Sequence, residues 1–102
     1  MHSRYLPDVR RRKILDAAIK EAHNVGYQRF TREAVAARAD CVPGLIGHYF
    51  KSIEDLRREV MRVAVKRAYL RIVAQGIVNR DPVALKAPAS VKRQAIEILA
   101  DA

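Results

Sequence analysis

Two short runs of this chain carry the side chains best suited to specific recognition, Thr31-Arg32 and Val42 to Lys51. The second run holds two glycines, a histidine, a tyrosine and a lysine within ten positions. Arginine can pair with the O6 and N7 atoms of guanine, and hydroxyl, imidazole and ammonium groups donate hydrogen bonds to phosphate oxygens. These residue types therefore indicate noncovalent recognition of a partner.

Covalent chemistry has no comparable support in the sequence. His23 has no His, Cys or carboxylate partner at the spacing of a metal site, and we interpret it as a half-buried surface histidine. The chain shows neither a nucleophile and base arrangement nor a glycine-rich phosphate loop. We therefore expect no enzymatic activity, no cofactor and no metal.

The residues from Thr31 to Lys51 predict a helix, a tight turn and a second short helix. Thr31 can cap the first of these helices with its hydroxyl, and Asp40-Cys41 interrupt its apolar pattern. Val42-Pro43 restart a helix with proline near its first position, where the missing N–H costs nothing. The spacing of four predicts one inward side, formed by Val42, Ile46 and Phe50. Gly44, Leu45, Gly47 and His48 lie on the opposite side, and each glycine costs about 1 kcal/mol relative to alanine. We expect this side to approach a partner closely.

A supporting helix is predicted before this region, from about Val9 or Arg10 to Val25. Gly26 ends it as a C-cap, and Tyr27 and Phe30 connect it to the next helix. Its apolar stripe comprises Ile14, Leu15, Ala18, Ile19 and Ala22. Residues 1–9 contain Pro7 without periodicity and are interpreted as a flexible basic arm, which could lie along a minor groove or remain solvated.

A fourth helix is predicted to follow, begun by Ser52 in a sequence resembling a capping box and continuing to about Val78. Arg58, Arg62 and Lys66 form a basic stripe on the outer face, joined by Arg57, Arg67 and Arg71. We interpret it mainly as a solvated face, with contact to flanking DNA or to an acidic partner as the alternative. Breaks at 79–82 and 87–89 precede a final helix that Ser90 begins. The predicted fold class is all-α.

Composition agrees with a small basic helical protein. The 102 residues include 20 Lys and Arg against 11 Asp and Glu, for a formal net charge of +9. This excess favours a polyanionic partner. Cys41 is the only cysteine, and neither a signal peptide nor an apolar run of membrane-spanning length occurs. We expect a cytoplasmic location without membrane contact.

One ordered set of residues matches a known family pattern: Arg12-Lys13-Ile14-Leu15-Asp16-Ala17-Ala18, Gly26-Tyr27, Phe30-Thr31, Val35-Ala36, Ala39, Gly44-Leu45-Ile46, His48-Tyr49-Phe50-Lys51-Ser52 and Glu54-Asp55-Leu56. With these residues, about half of the chain, from Arg11 to Leu56, resembles the DNA-binding domain of tetracycline-repressor-type (TetR family) transcriptional regulators. The segment from Gly44 to Phe50 resembles in particular the choline-responsive repressors of the betaine pathway.

The resemblance implies that the helix from Val42 to Tyr49 enters the major groove of double-stranded DNA. His48, Tyr49 and Lys51 would then meet phosphates, Leu45 would face the bases, and Val42 and Pro43 would lie at the groove edge. It also implies phosphate or base contacts for Thr31 and Arg32. The expected DNA-binding residues are Arg11, Arg12, Thr31, Arg32, Val42, Pro43, Gly44, Leu45, Gly47, His48, Tyr49 and Lys51.

The sequence departs from the family pattern at five positions. The family usually has serine at Val42, lysine at Pro43, threonine at Leu45, tyrosine at Gly47 and lysine at Ile53. The loss of these polar groups is compatible with lower or differently encoded specificity, and equally with a decayed or fragmentary DNA-binding region.

The predicted organisation is a flexible arm (1–9), a helix-turn-helix domain (10–51), a connecting fourth helix (52–79) and a C-terminal helical remnant (80–102). The resemblance implies a sequence-specific regulator, in particular a repressor, that binds DNA as a homodimer through the fourth and C-terminal helices. With little or no ligand domain, no small-molecule inducer is expected to act on this chain. The alternative is a basic helical protein-interaction module or a truncated, non-regulatory fragment.

Overall fold

A computed structural model describes residues 6–101 of the chain, and within this range it contains seven α-helices and no β-strand. The expected all-α class is therefore confirmed. The helices are α1 (Pro7–Val25), α2 (Arg32–Ala39), α3 (Pro43–Tyr49), α4 (Ile53–Arg67), α5 (Leu70–Val78), α6 (Pro82–Leu85) and α7 (Ala89–Ala100).

Helix α1 begins at Pro7, earlier than the expected start at Val9 or Arg10. Leu6 is the extended N-cap residue, so Pro7 stands at the first helical position and needs no N–H there. Residues 7–9 thus belong to α1 and not to a basic arm over 1–9, and residues 1–5 of that arm lie outside the described range. Gly26 closes the helix with φ of 100°, as expected of a C-cap glycine.

Helices α2 and α3 form the expected helix, turn and helix. The Thr31 hydroxyl accepts a hydrogen bond from the Ala34 N–H at 3.1 Å, which confirms the predicted cap. Asp40 adopts a left-handed conformation with φ of 58° and ends α2. The expected inward position of Val42 is wrong, because its side chain is 69% exposed. Val42 is the extended N-cap residue of α3, so the helical spacing that predicts an inward side begins only at Pro43.

The single fourth helix expected over 52–79 is two helices. Ala68 has φ of 57° and ends α4, and the Tyr69 N–H donates to the Ala64 carbonyl at 2.8 Å. This bond closes the last turn of α4 in the manner of a left-handed C-cap, and α5 then starts at Leu70. The predicted start of α4 is confirmed, since the Ser52 hydroxyl accepts from the Asp55 N–H at 3.0 Å.

The core runs from the helix-turn-helix region into the C-terminal helices without interruption. Gly76 of α5 permits close packing in this core, because a Cβ atom there would lie 2.6 Å from both Ala84 Cβ and Met61 Cε. Asp81 begins α6 by accepting hydrogen bonds from the Val83 and Ala84 N–H groups at 2.8 and 3.3 Å. The largest fully buried side chains are Tyr27, Phe30, Ile14, Ile46, Leu56, Met61, Ile72, Val35, Val60 and Val73.

Helix α7 begins at Ala89, one residue before the expected Ser90, and packs along α5. Only Ala95 is buried on it. Three large apolar side chains on these two helices remain exposed: Val78 at 65%, Ile96 at 51% and Leu99 at 37%. The α5 and α7 pair therefore leaves apolar surface without cover among the described residues.

Candidate nucleic-acid interface

Helix α3 turns one side into the core and leaves the other open. Ile46 and the following Phe50 are buried, at 1% and 4% exposure. Leu45 and Tyr49 are half-buried at the border between the two sides. The open side is formed by Val42, Pro43, Gly44, Gly47 and His48, all of which are exposed. The residues expected to enter a groove are thus brought together on one accessible surface.

The fold itself does not require either glycine of α3. A Cβ atom built at Gly44 or at Gly47 would meet nothing within 4 Å, and neither residue has a positive φ. Glycine lowers helix stability by about 1 kcal/mol relative to alanine at each position. This cost brings no packing benefit inside the described chain, in contrast to the crowded Gly76. The open space is suited to close approach by a partner.

The end of α3 places an imidazole and a phenol side by side. The rings of His48 and Tyr49 meet edge to face, with centroids 5.0 Å apart and planes at 89°. Tyr49 also packs against the core, so its ring supports the exposed His48. Lys51 lies two residues after Tyr49 and is exposed. Three hydrogen-bond donors therefore line the end of the open side.

Thr31 and Arg32 lie at the start of α2, which packs on α3. The Thr31 oxygen is engaged as the helix cap, but its hydroxyl hydrogen is still available for donation. Arg32 is exposed and forms no ion pair with any residue in the described range. Its guanidinium is therefore available to an external acceptor.

Arg11 and Arg12 in the first half of α1 differ in their surroundings. Arg11 Nη2 lies 3.5 Å from Glu59 Oε2, and the Arg11 guanidinium carbon lies 4.6 Å from the centre of the Phe50 ring. These contacts bring α1 beside the end of α3 and occupy much of Arg11. Arg12 is exposed and has no ion pair within residues 6–101. The Arg12 guanidinium is therefore more available to an external anion than that of Arg11.

The basic stripe on α4 is partly neutralised by its own helix. Arg58 pairs with Asp55 at 2.7 Å and Arg62 pairs with Glu59 at 2.6 Å. Exposed pairs of this type contribute roughly 0–1 kcal/mol to stability, and they reduce the charge available to a partner. This pairing supports the interpretation of the stripe as mainly a solvated face.

The expected position of Arg57 among the outer basic residues is wrong, because its side chain contacts the loop before α2. Arg57 Nη2 donates to the Phe30 carbonyl at 2.9 Å, and the Arg57 Nε atom is buried without a hydrogen-bond partner. Phe30 directly precedes Thr31, so α4 holds the backbone from which α2 begins. No sequence signal links these residues, because they are 27 positions apart.

Cys41 lies in the turn between α2 and α3 and is half-buried. Burial raises the pKa of its thiol above the ordinary value, while the positive charge of Arg10 acts in the opposite direction. A raised pKa keeps the thiol protonated near neutral pH and therefore poorly nucleophilic. The thiol adds no charge to the open side of α3.

Residues 6–101 hold no group of three or more His, Cys, Asp or Glu side chains that could bind a metal ion. None of the helices in the same range is long and apolar enough to cross a membrane.

The exposed α3, the capped α2 that packs on it and the flanking α1 and α4 define the chain's first half as a helix-turn-helix domain of the DNA-binding type. Residues 14–60 match the model of the bacterial regulatory proteins of the tetR family, and the chain belongs to that family. The resemblance in the sequence is thereby confirmed.

Curated relatives of this chain are described as HTH-type transcriptional regulators named BetI. The protein of Cronobacter sakazakii is 37% identical over 74 residues, which cover 67% of this chain and 37% of the relative. That of Klebsiella pneumoniae is 37% identical over 54 residues, covering 53% of this chain and 28% of the relative. That of Escherichia coli is 33% identical over 57 residues, covering 56% and 29%. The chain thus spans about a third of the length of these relatives. No solved structure matches it significantly.

Proposed function

We propose that this protein is a sequence-specific regulator of transcription that binds double-stranded DNA by inserting α3 into the major groove, and that it acts as a repressor in the cytoplasm. One observation carries the proposal: α3 exposes a continuous side with two glycines that the packing of the chain does not need. The major groove accepts one α-helix, and glycine lets the helix backbone approach the base edges.

In this arrangement, contacts with phosphate fix the position of the protein, and contacts with base edges select the sequence. Arg32 reads a base edge or the adjacent backbone, and Leu45 contacts a thymine methyl group. Val42 and Pro43 lie at the groove edge, while Gly44 and Gly47 face the bases. The phosphate contacts come from Arg11, Arg12, Thr31, His48, Tyr49 and Lys51.

A gel-shift comparison tests the proposal. The duplex is the region upstream of the protein's own gene, the control is a scrambled duplex of equal composition, and both are measured at one fixed salt concentration. We expect preferential binding to the upstream duplex and an affinity that falls by orders of magnitude between about 50 and 200 mM salt. Equal affinity for the two duplexes would refute sequence-specific regulation and favour a protein-interaction module.

A matched pair of alanine variants shows which surface binds. His48→Ala removes a donor at the end of α3, and Asn24→Ala removes an exposed polar side chain from the last turn of α1. Loss of one charged or neutral phosphate contact typically weakens binding by about tenfold. We expect this loss for His48→Ala and no change for Asn24→Ala. Equal effects of the two substitutions would remove α3 from the interface.

We further propose that two copies associate through α5 and α7, so that a two-fold operator is bound by both. The expected contribution of α4 is small, because its outer side is charged and internally paired. An open groove of about 440 Å³ lies between α5 and α7, with Ala74, Val78, Ile98 and Leu99 among its lining residues.

Charged groups of opposite sign lie near this groove. Arg71 lies at the groove, and Glu97 and Asp101 lie near the end of α7; all three are exposed and without an ion pair in the described chain. A two-fold axis repeats each contact, so cationic and anionic groups can meet twice. Light scattering after size exclusion should show a dimer that Leu99→Asp disrupts and that Leu85→Asp, a second exposed leucine, preserves. A monomeric wild-type protein would refute this assembly.

A further inference from the structure

The loop of residues 26–31, between α1 and α2, is held at both ends by groups outside the helix-turn-helix region. At its start, the Tyr27 N–H donates to Gln75 Oε1 at 2.9 Å, and the Tyr27 hydroxyl donates to Asp81 Oδ2 at 3.0 Å. At its end, Arg57 Nη2 donates to the Phe30 carbonyl at 2.9 Å. Helix α4, helix α5 and the turn before α6 therefore all contact this loop.

The two partners of Tyr27 are themselves fixed by further bonds. Gln75 Nε2 donates to the Ala22 carbonyl at 3.2 Å, so the same amide group contacts both the last turn of α1 and the loop. Asp81 caps α6 with Oδ1 and accepts from Tyr27 with Oδ2. The Gln75 amide and the Asp81 carboxylate cannot rotate without breaking these further bonds. They therefore fix the position of the Tyr27 backbone and ring.

Tyr27 combines this anchoring with a position close to the DNA-binding surface. Its side chain is 1% exposed, and only three residues separate it from Thr31, where α2 is capped. Helix α2 packs on α3, so a change in the angle of α2 displaces α3. A recognition surface retains its selectivity only when supporting residues hold it in place before binding.

We propose that Tyr27 is a positioning residue for DNA recognition: its two hydrogen bonds to Gln75 and Asp81 set the orientation of α2 and α3 on the α4–α6 body. The effect on DNA rests on the function proposed above. The effect on the loop does not, because the hydrogen bonds exist in the free protein.

Tyr27→Phe separates positioning from simple core filling. The substitution retains the buried ring and the backbone bond to Gln75, and it removes the hydroxyl that donates to Asp81. Tyr69→Phe is the matched control, because Tyr69 lies at the α4–α5 junction, and its ring contacts His23 while its hydroxyl has no hydrogen bond within residues 6–101. Both variants are compared with the wild type at a temperature at which all three are folded.

The first measurement is hydrogen exchange of the α2 amides in the free protein. We expect the Val35 and Ala36 amides to exchange about tenfold faster in Tyr27→Phe and at the wild-type rate in Tyr69→Phe. Unchanged exchange in Tyr27→Phe would overturn the proposal, whether or not the wild-type protein prefers one duplex over another.

The second measurement is the ratio of affinities for the upstream and scrambled duplexes at fixed salt. We expect Tyr27→Phe to reduce this ratio about tenfold by weakening the specific complex, while binding to the scrambled duplex stays the same. Faster exchange with an unchanged ratio would confine Tyr27 to a structural role and overturn the proposal. A wild-type ratio of one would refute the proposed function, and the exchange result would still decide whether Tyr27 orients α2.

Discussion

Arg57 Nη2 donates a hydrogen bond to the Phe30 carbonyl at 2.9 Å, and the Arg57 guanidinium carbon lies 5.4 Å from the centre of the Phe30 ring. The Arg57 side chain is 20% exposed, so the bond is partly shielded from water. This relationship joins α4 to the residue that precedes the α2 cap.

We expect Arg57→Ala to lower the free energy of unfolding by about 1–3 kcal/mol, because it leaves the Phe30 carbonyl without its donor and removes the contact with the ring. The neighbouring Arg58→Ala should cost about 0.5 kcal/mol or less, since Arg58 pairs with Asp55 at an exposed site. Urea denaturation of the two variants measures the difference. Equal losses would show that the contact with Phe30 contributes little.

Gly47→Ala should stabilise the free protein and weaken DNA binding. The new methyl group meets nothing within 4 Å, and alanine favours the helix over glycine by about 1 kcal/mol. In the proposed complex the same methyl group faces the bases, where it would lower affinity by about tenfold. Thermal unfolding and gel shifts measure the two effects separately. A stabilised variant with unaltered affinity would argue against close approach of α3 at this position.

Gly76→Ala should have the opposite effect on stability. Its methyl carbon would fall 2.6 Å from Ala84 Cβ and from Met61 Cε, closer than real carbon contacts allow. The flexible end of Met61 can move aside, but Ala84 lies on α6 and can move only with its backbone. Overpacking of this kind costs about 1–3 kcal/mol. Urea unfolding checks the value, and a variant as stable as the wild type would show that α6 shifts readily.

Val42→Ser should stabilise α3, whose N-cap residue makes no side-chain hydrogen bond. A serine hydroxyl can accept from an N–H in the first turn, and caps of this type contribute about 0.5–2 kcal/mol. For a domain of this size, each 1 kcal/mol raises the melting temperature by about 4–8 °C. Val42→Ala is the control, because it removes the exposed isopropyl group without adding a cap. Equal melting temperatures for the two variants would contradict the capping argument.

The free energy of unfolding should decrease in alkaline solution, because the buried Tyr27 hydroxyl loses its proton there. Burial raises the pKa of the Tyr27 hydroxyl above its ordinary value of 10.0, and the negative charge of Asp81 adds to the increase. The stabilising contribution is therefore complete below about pH 10, where the unfolded tyrosine is still neutral, and is lost as pH rises towards the higher pKa of the folded state. Urea unfolding between pH 9 and 11 should show a smaller decline for Tyr27→Phe. Parallel declines would contradict the assignment.

Local signals in the sequence predict the helix ends that frame the candidate nucleic-acid interface. The caps at Thr31 and Ser52, the C-cap at Gly26 and the proline that starts α3 each depend on residues within one turn, and all are confirmed. Their success has a common reason: a helix end is determined by hydrogen bonds among close neighbours in the sequence.

The wrong predictions concern features that leave no local signal in the sequence. One further prediction applied helical spacing to a residue outside the helix. Ala68 ends α4 in a left-handed conformation that alanine rarely adopts, so the sequence suggested an unbroken helix. Helical spacing predicts an inward position for Val42, but this residue precedes α3 and is exposed. The bonds of Arg57 and Tyr27 join residues 27 to 54 positions apart, and periodicity contains no information about such pairs.

The double use of Asp81 has a thermodynamic consequence. One oxygen of the carboxylate caps α6, and the other accepts a hydrogen bond from the Tyr27 hydroxyl. Unfolding of α6 therefore also leaves the buried Tyr27 hydroxyl, four residues before Thr31, without its acceptor. The segments on either side of Asp81 should therefore unfold as one cooperative unit. A shorter protein that ends at Lys51, after the last of the proposed DNA contacts, would lack Asp81. Its α1–α2 loop would therefore be less stable than the same loop in the longer chain.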